Sequence, residues 1–170
     1  MTGVQTCALP ILQLPYINLA VALPHDPMHV LFEGLVPYHL ALLLQLALNN
    51  KLFSLDWLNN QLAQFKYSYL DSENKPELIF RQHVFQSVNV KQTAACQLTL
   101  CYILPLIIGT QFERLEPFFK NFMHLMAISV LCSSALVTDD TAGELQVLIE
   151  SYLLSFSRLF PNESIKPKHH

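Results

Sequence analysis

Charged residues and glycine are both scarce in this 170-residue chain. Only 14% of the residues are charged, against about 25% in an average soluble domain, and glycine occurs four times. Scarce glycine in a leucine-rich chain favours a helical, largely buried fold over a sheet-rich one. The length suits a single domain.

Positive charge is also in short supply. Ten Lys and Arg residues face 13 Asp and Glu residues, which leaves a net charge of −3. Binding of nucleic acid would therefore need residues from elsewhere or a metal ion. The sequence contains no Gly-rich phosphate loop, no G-x-S-x-G motif and no Cys/His nucleophile pattern. These absences argue against P-loop nucleotide hydrolases, α/β-hydrolases and cysteine hydrolases.

The four cysteines are Cys7, Cys96, Cys101 and Cys132, and none belongs to a C-x-x-C motif. Cys96 and Cys101 lie inside an apolar run. This pattern is typical of reduced core thiols in an intracellular protein, rather than of a disulfide framework or a zinc site.

No apolar run reaches the length of a convincing membrane span. The best candidate, 121–137, has 17 residues and includes His124, whereas a span needs about 20 mostly apolar residues. The runs at 35–48 and 98–109 are shorter and contain proline. We expect no membrane association, and a fragment of a polytopic membrane protein remains the weaker alternative.

The first eleven residues, MTGVQTCALPI, resemble the in-frame translation of a common sequencing-library adapter. Ten consecutive residues, from Thr2 to Ile11, match that translation in order. The segment has no basic start and too short an apolar core for a signal peptide. We therefore predict that 1–11 is an artefact, that Cys7 carries no meaning, and that the genuine chain starts near Leu12 without its N-terminal part.

The first half of the chain predicts one strand and two helices. Residues 15–23 form a short apolar run typical of a buried strand. Asp26 and Pro27 fit the N-cap and first position of a helix that reaches about Asn49, with a bend or break near Gly34 and Pro37. Ser54 is expected to cap a second helix, whose apolar residues recur at helical spacing: Leu55, Leu58, Leu62 and Phe65.

Residues 66–90 are polar and irregular, and three helices are predicted after them. The first, 91–108, is apolar on nearly all sides, which predicts burial on all sides, a kink at Pro105 and an end at Gly109. The second runs from about Leu115 to Leu136. A capping box of Thr141 and Glu144 is expected to start the last helix, which Pro161 ends. Its predicted inner face is Leu145, Leu148, Ile149, Tyr152, Leu153 and Phe156.

Three polar residues open the first helix in an otherwise apolar stretch, LPHDPMHVLFEGLVPYHL at 23–40. In an α-helix, Asp26, His29 and Glu33 would point within roughly 60° of one another, and all three side chains can bind metal or carry protons. The simpler interpretation is that Asp26 caps the helix while His29 and Glu33 form an i,i+4 pair. Spacing alone favours the simpler interpretation.

The other histidines carry weaker signals. His169 and His170 end the chain and could bind metal as a pair, although the sequence alone favours an ordinary surface pair or the remnant of a tag. His39, His83 and His124 stand alone in the sequence. We expect those three to be surface residues or hydrogen-bonded core residues.

The stretch at 23–40 resembles a pattern of animal transposon-derived proteins, L-P-x-D-x-M-H-x-L-x-E-G-x-V-P-Y. Its matches are Leu23, Pro24, Asp26, Met28, His29, Leu31, Glu33, Gly34, Val36, Pro37 and Tyr38. YLDSENKP at 69–76, LPLIIG at 104–109 and RLFPNESIKPKHH at 158–170 also resemble segments of that family, in the same order. The chain thus resembles the CACTA-type group of DDE transposases over about 12–170.

The resemblance implies a ribonuclease-H-like catalytic domain. In such enzymes three carboxylates hold two divalent metals, Mg²⁺ or Mn²⁺, for phosphoryl transfer on DNA. It implies that Asp26 is either the second catalytic acid or part of a D-x-x-H element with His29. The second option pairs that element, through a structural Zn²⁺, with His169 and His170. Glu33 would shape the helix that leaves the site.

The fold expected from this resemblance is mostly α: the helical insertion and one strand–helix corner of an incomplete ribonuclease-H-like α/β domain. The expected division is an artefact at 1–11, a strand and helix with the D-x-M-H motif at 12–49, and the helical insertion at 50–170. The family's first and third catalytic acids would lie outside this chain, which predicts that the chain alone is inactive.

The full-length parent is expected to bind DNA and to cleave or join its strands in the nucleus or cytoplasm. The missing remainder of the domain would pack on the helices. The first alternative is a non-catalytic helical interaction module derived from a transposase.

Overall fold

The computed structural model describes residues 28–69, 71–133 and 138–163, and within these ranges the chain is mostly helical and contains no strand. A π-helix, Met28–Leu35, runs directly into α1. The α-helices are α1 (Val36–Asn49), α2 (Leu55–Gln64), α3 (Arg81–Phe85), α4 (Ala94–Ile108), α5 (Glu116–Cys132) and α6 (Asp139–Leu159). A 3-10 helix, Gly109–Leu115, joins α4 to α5.

The mostly helical fold predicted from the composition is confirmed. The predicted strand at 15–23 and the adapter-like segment 1–11 lie outside the described residues. The ribonuclease-H-like origin and the division at residue 49 stay predictions.

Helix α1 is the central helix of the core. Seven of its residues have no exposed surface, and its residues contact α3 and α5. It ends at Asn49, and Lys51 takes a positive φ of 55° just beyond. The predicted stop at 49–51 is therefore confirmed.

The predicted bend near Gly34 and Pro37 takes the form of a change in helix type. The π-helix ends at Leu35, and Pro37 is in the first turn of α1. Proline has no N–H to give to the preceding turn, so the regular hydrogen-bond ladder of an α-helix does not continue through Pro37 into that turn. The π-helix packs Leu31, Phe32 and Leu35 into the core beside α4.

Helix α2 agrees closely with its prediction. The Ser54 hydroxyl accepts a hydrogen bond from the Trp57 N–H at 3.1 Å, as an N-cap should. Leu58 and Leu62 are buried, and the flanking apolar residues of the same face pack against them. Helix α3 was not predicted, because its five residues lack a capping side chain and an apolar repeat.

Helix α4 corrects one prediction and confirms another. Tyr102 and Leu106 are 55% and 75% exposed, so burial on all sides was wrong. The predicted end is confirmed, because the α-helix ends at Ile108 with Gly109 as its C-cap, and a 3-10 helix follows. The composition of α4 shows no polar face, so only its packing partners decide which side is covered.

Helices α5 and α6 pack side by side in opposite directions. Phe118 contacts Phe160, and farther along α5 the Asn121 amide donates to the Tyr152 carbonyl at 3.0 Å. The predicted inner face of α6 is confirmed: Tyr152 and Phe156 are buried, and the other members pack on the core.

The predicted capping box of Thr141 and Glu144 was wrong. Helix α6 begins three residues earlier, with Thr138 as N-cap and Thr141 at the third helical position. The Thr138 hydroxyl accepts from the Thr141 N–H at 3.2 Å, and the Thr141 hydroxyl accepts from the Thr138 N–H at 3.3 Å. The Thr141 side chain thus accepts the hydrogen bond from the N-cap N–H, which a glutamate side chain usually accepts in this motif.

Candidate functional site

The predicted site at the start of the first helix is described from Met28 onward. His29 and Glu33 lie on the π-helix, with the His29 Nε2 3.7 Å from a Glu33 carboxylate oxygen. Their side chains are 69% and 47% exposed. The predicted i,i+4 pair is confirmed. Such an exposed pair contributes little to stability, about 0–1 kcal/mol.

The π-helix differs from the α-helical geometry that was used to predict a shared face for Asp26, His29 and Glu33. Its hydrogen bonds run from residue i to i+5, so the side chains are spaced differently from those of an α-helix. Asp26 lies outside the described residues, and so do His169 and His170. The alignment of Asp26 with His29 and Glu33 stays a prediction.

The described ranges contain no group of three His, Cys, Asp or Glu side chains placed to hold a metal ion. His29 and Glu33 supply two of the donors that a divalent metal accepts. A complete site at this position needs at least one further ligand. Asp26 and the histidine pair are the candidates that the sequence supplies.

Tyr38 and Glu163 join two segments that are 125 residues apart in the chain. The Tyr38 hydroxyl donates a hydrogen bond to the Glu163 carboxylate. Burial, followed by the hydrogen bond and the charge of Glu163, raises the Tyr38 pKa well above its usual value. Tyr38 ends the D-x-M-H pattern and Glu163 belongs to RLFPNESIKPKHH, so two segments that carry the family resemblance meet in space.

His39, the residue after Tyr38, is fully buried among aromatic rings. Four ring centroids lie 5.3–5.7 Å away, those of Phe122, Tyr152, Phe156 and Phe160. The Tyr152 hydroxyl is 3.3 Å from the His39 Nδ1. Burial raises the pKa of Tyr152 as well, so its hydroxyl stays protonated. The expectation that His39 is a hydrogen-bonded core histidine is confirmed.

A cleft of about 260 Å³ between α5 and α6 was not anticipated from the sequence. It is lined by Pro117, Lys120, Asn121, His124, Ser155, Arg158 and Leu159. Within the described ranges, the Asn121 Oδ1 and the His124 Nδ1 are buried and accept or donate no hydrogen bond. These residues lie on two consecutive helices that fold back on each other, and no local motif in the sequence predicts the cleft.

The three described cysteines are free thiols. Cys101 is buried, and this burial raises its pKa to about 12, although a hydrogen bond from Gln97 lowers it slightly. Burial also raises the pKa of Cys132. The predicted reduced state is consistent with these positions, and a reactive thiolate is not expected at Cys101.

Two helical stretches of the described chain are long and apolar enough to cross a membrane, 28–49 and 94–132. About 67% of the first and 50% of the second apolar window are buried inside the fold. Core helices of soluble proteins meet the same criterion, so this observation is weak support for a membrane span.

No family model matches the sequence, and searches of curated proteins and of solved structures each returned no significant match. The resemblance to transposases therefore depends on the residues quoted above.

Proposed function

We propose that this chain is part of a CACTA-like DDE transposase, whose full-length parent binds DNA and cleaves or joins its strands with Mg²⁺ or Mn²⁺. The chain would contribute the D-x-M-H corner and most of the helical insertion. The contact between Tyr38 and Glu163 is the observation that carries the proposal. It brings the segment before the C-terminal histidine pair next to the helix that begins with the D-x-M-H motif.

Chain lengths make a joint site feasible. Tyr38 lies nine helical positions beyond His29, which corresponds to about 14 Å at 1.5 Å per residue. His169 lies six positions beyond Glu163, and an extended chain over six positions spans up to about 20 Å. His169 and His170 can therefore reach His29 from the fixed point at Glu163.

The exposed positions of His29 and Glu33 support a role in binding rather than in the core. The start of a helix is also a favourable place for the ionised form of Asp26, because the helix dipole stabilises negative charge there. Two roles remain for Asp26 in this proposal: a catalytic metal ligand, or a member of a structural zinc site with His29 and the histidine pair.

One set of variants of the full-length protein distinguishes these roles. Strand cleavage of a DNA substrate is measured with Mg²⁺ or Mn²⁺, and bound zinc is measured on the same preparations. If Asp26 is catalytic, Asp26→Ala lowers cleavage at least 100-fold and leaves bound zinc unchanged. If Asp26 is structural, the same variant and His29→Ala both lose zinc.

Glu73→Ala, which removes an exposed acid in a loop, is the matched control and should leave cleavage and zinc content unchanged. Absence of metal-dependent cleavage in the full-length protein, or full cleavage and full zinc content in Asp26→Ala, would contradict the proposal.

A non-catalytic helical interaction module is the second candidate function. The observation in its favour is the set of large apolar side chains left exposed, among them Leu78, Phe80, Tyr102 and Leu106. A full-length protein that lacks the other two acids in intact flanking segments would favour this candidate. Partition of the full-length protein into detergent would favour the membrane alternative instead.

A further inference from the structure

Residues 76–80 lie outside the helices and turns, and Phe80 has extended backbone angles, φ −97° and ψ 141°. Hydrogen bonds within the described part of the chain hold one edge of this segment. The Glu77 N–H donates to the Gln92 side chain at 2.7 Å, and the Gln92 amide donates back to the Glu77 carbonyl at 3.0 Å. Asn59 does the same for Ile79, with both distances at 3.0 Å. Two side-chain amides thus take the place of a neighbouring strand.

This pattern shows where the other backbone groups point. In an extended strand the N–H and C=O of one residue point to the same side, and those of the next residue point to the opposite side. Glu77 and Ile79 face Gln92 and Asn59, so the N–H and C=O of Leu78 face away from both. Within the described ranges, Leu78 makes no backbone hydrogen bond.

The side chains along this edge are apolar and accessible. Leu78 is 58% exposed and Phe80 is 51% exposed, while Ile79 between them is buried. An extended edge with unpaired backbone groups and apolar side chains is a template for pairing with another strand.

The neighbouring residues make this edge self-complementary. The Phe80 N–H makes no hydrogen bond with the residues that the structure describes, but its carbonyl already accepts from the N–H groups of His83 and Val84. Pro76 has no N–H, but its carbonyl accepts no hydrogen bond in the described part of the chain. The edge therefore offers two donors, at Leu78 and Phe80, and two acceptors, at Leu78 and Pro76.

We propose that the 76–80 edge pairs with the same edge of a second copy of this chain, in an antiparallel register centred on Leu78. Leu78 of each copy then exchanges both hydrogen bonds with Leu78 of the other. Each Phe80 N–H meets the Pro76 carbonyl of the other copy. Pro76 has no N–H to donate at this position, and the Phe80 carbonyl of the other copy, which lies opposite, needs no donor because it already accepts hydrogen bonds within its own chain.

Other registers leave groups unpaired. A shift that places Leu78 opposite Pro76 leaves the Leu78 carbonyl without a donor. A shift that places Leu78 opposite Phe80 leaves the Leu78 N–H without a free acceptor. Only the register centred on Leu78 satisfies all four groups, and it is two-fold symmetric, as a closed dimer requires.

The same register brings the apolar side chains together. The two Leu78 side chains lie next to each other on one face, and each Phe80 lies across from a Pro76. The contact involves far fewer than the 20–30 residues per side of a standard interface. We therefore expect a weak, concentration-dependent dimer.

Sedimentation velocity of the 170-residue chain over a dilution series tests this pairing. Leu78→Pro removes the central N–H, which makes no hydrogen bond within the described ranges, and should weaken dimerisation at least tenfold. Leu106→Ala, at a more exposed leucine on α4, is the matched control and should leave the dimer unchanged. Circular dichroism checks that both variants keep the helical fold.

Oxidative cross-linking tests the register independently of folding changes at proline. The Cα atoms of directly opposed residues in such a pair are about 5.5 Å apart, which suits a disulfide. Leu78→Cys should cross-link the chain to its copy, and Leu106→Cys should not exceed the unmodified chain. A chain that stays monomeric at all concentrations, or a dimer that is indifferent to Leu78→Pro, would overturn the proposal and leave this edge to a strand of another protein.

Discussion

Single residues show how burial controls chemistry in this chain. Cys101 has 7% of its surface exposed, and burial raises its pKa to about 12 from an ordinary value of 9.0. In the unfolded chain the same thiol loses its proton near pH 9. The folded state then holds a proton that the unfolded state has lost, so stability decreases as the pH rises from 9.

The first prediction concerns this loss of stability between pH 9 and pH 10. Each thiol that stays protonated only in the folded state contributes up to about 1.4 kcal/mol per pH unit. Cys101→Ala should therefore flatten the decrease in the free energy of unfolding, measured by urea denaturation at several pH values. Cys96→Ala, at a partly exposed thiol of the same helix, is the control. Equal slopes in the chain and in Cys101→Ala would contradict the role of burial.

At the scale of elements, capping hydrogen bonds decide where helices begin. The sequence predicts some of these caps correctly and others not. Ser54 precedes an amphipathic run and was recognised as a cap. Thr138 precedes Asp139 and Asp140, and the sequence offered Thr141 with Glu144 as an equally good box. The two starts differ by three residues, close to one helical turn, so the apolar face of α6 is the same in both.

The second prediction separates the two possible starts of α6. Thr138→Ala removes the observed cap and should lower the free energy of unfolding by about 0.5–2 kcal/mol. Glu144→Ala should change it by less than about 0.5 kcal/mol, because Glu144 lies beyond the first turn. Chemical denaturation measures both. A larger loss for Glu144→Ala than for Thr138→Ala would restore the box predicted from sequence.

At the scale of the whole molecule, Tyr38 and Glu163 hold the segment that follows α6 against α1. Their hydrogen bond joins two positions that are 125 residues apart in the chain. Neither residue stands out in the sequence as a partner of the other. The contact exists because α5 and α6 fold back beside α1.

The third prediction tests this closure. Tyr38→Phe should lower the free energy of unfolding by about 1–2 kcal/mol, because a partly buried hydrogen bond to a charged group is lost. Tyr102→Phe, at an exposed tyrosine of α4, should have almost no effect. In a double-variant cycle, Glu163→Gln combined with Tyr38→Phe should cost less than the sum of the two. Additive effects would show that the two side chains do not interact.

Periodicity and end signals were enough to predict most of the helices in this chain. The cap at Ser54, the stop after Asn49 and the inner face of α6 depend on residues within one or two helical turns, so they can be read locally. The pairing of His29 with Glu33 is local for the same reason. Asp26, His169 and His170 lie outside the described residues, and their roles stay predictions.

Features that depend on contacts between distant segments were decided only by the tertiary structure. It exposed Tyr102 and Leu106 on a helix with no polar face, because only neighbours determine which apolar side is covered. It placed Asn59 and Gln92 against the backbone of 77–79 and left the opposite edge open. The physical reason is that hydrogen bonds within a helix form between near neighbours, whereas burial and edge pairing form between segments that meet only after the chain has folded.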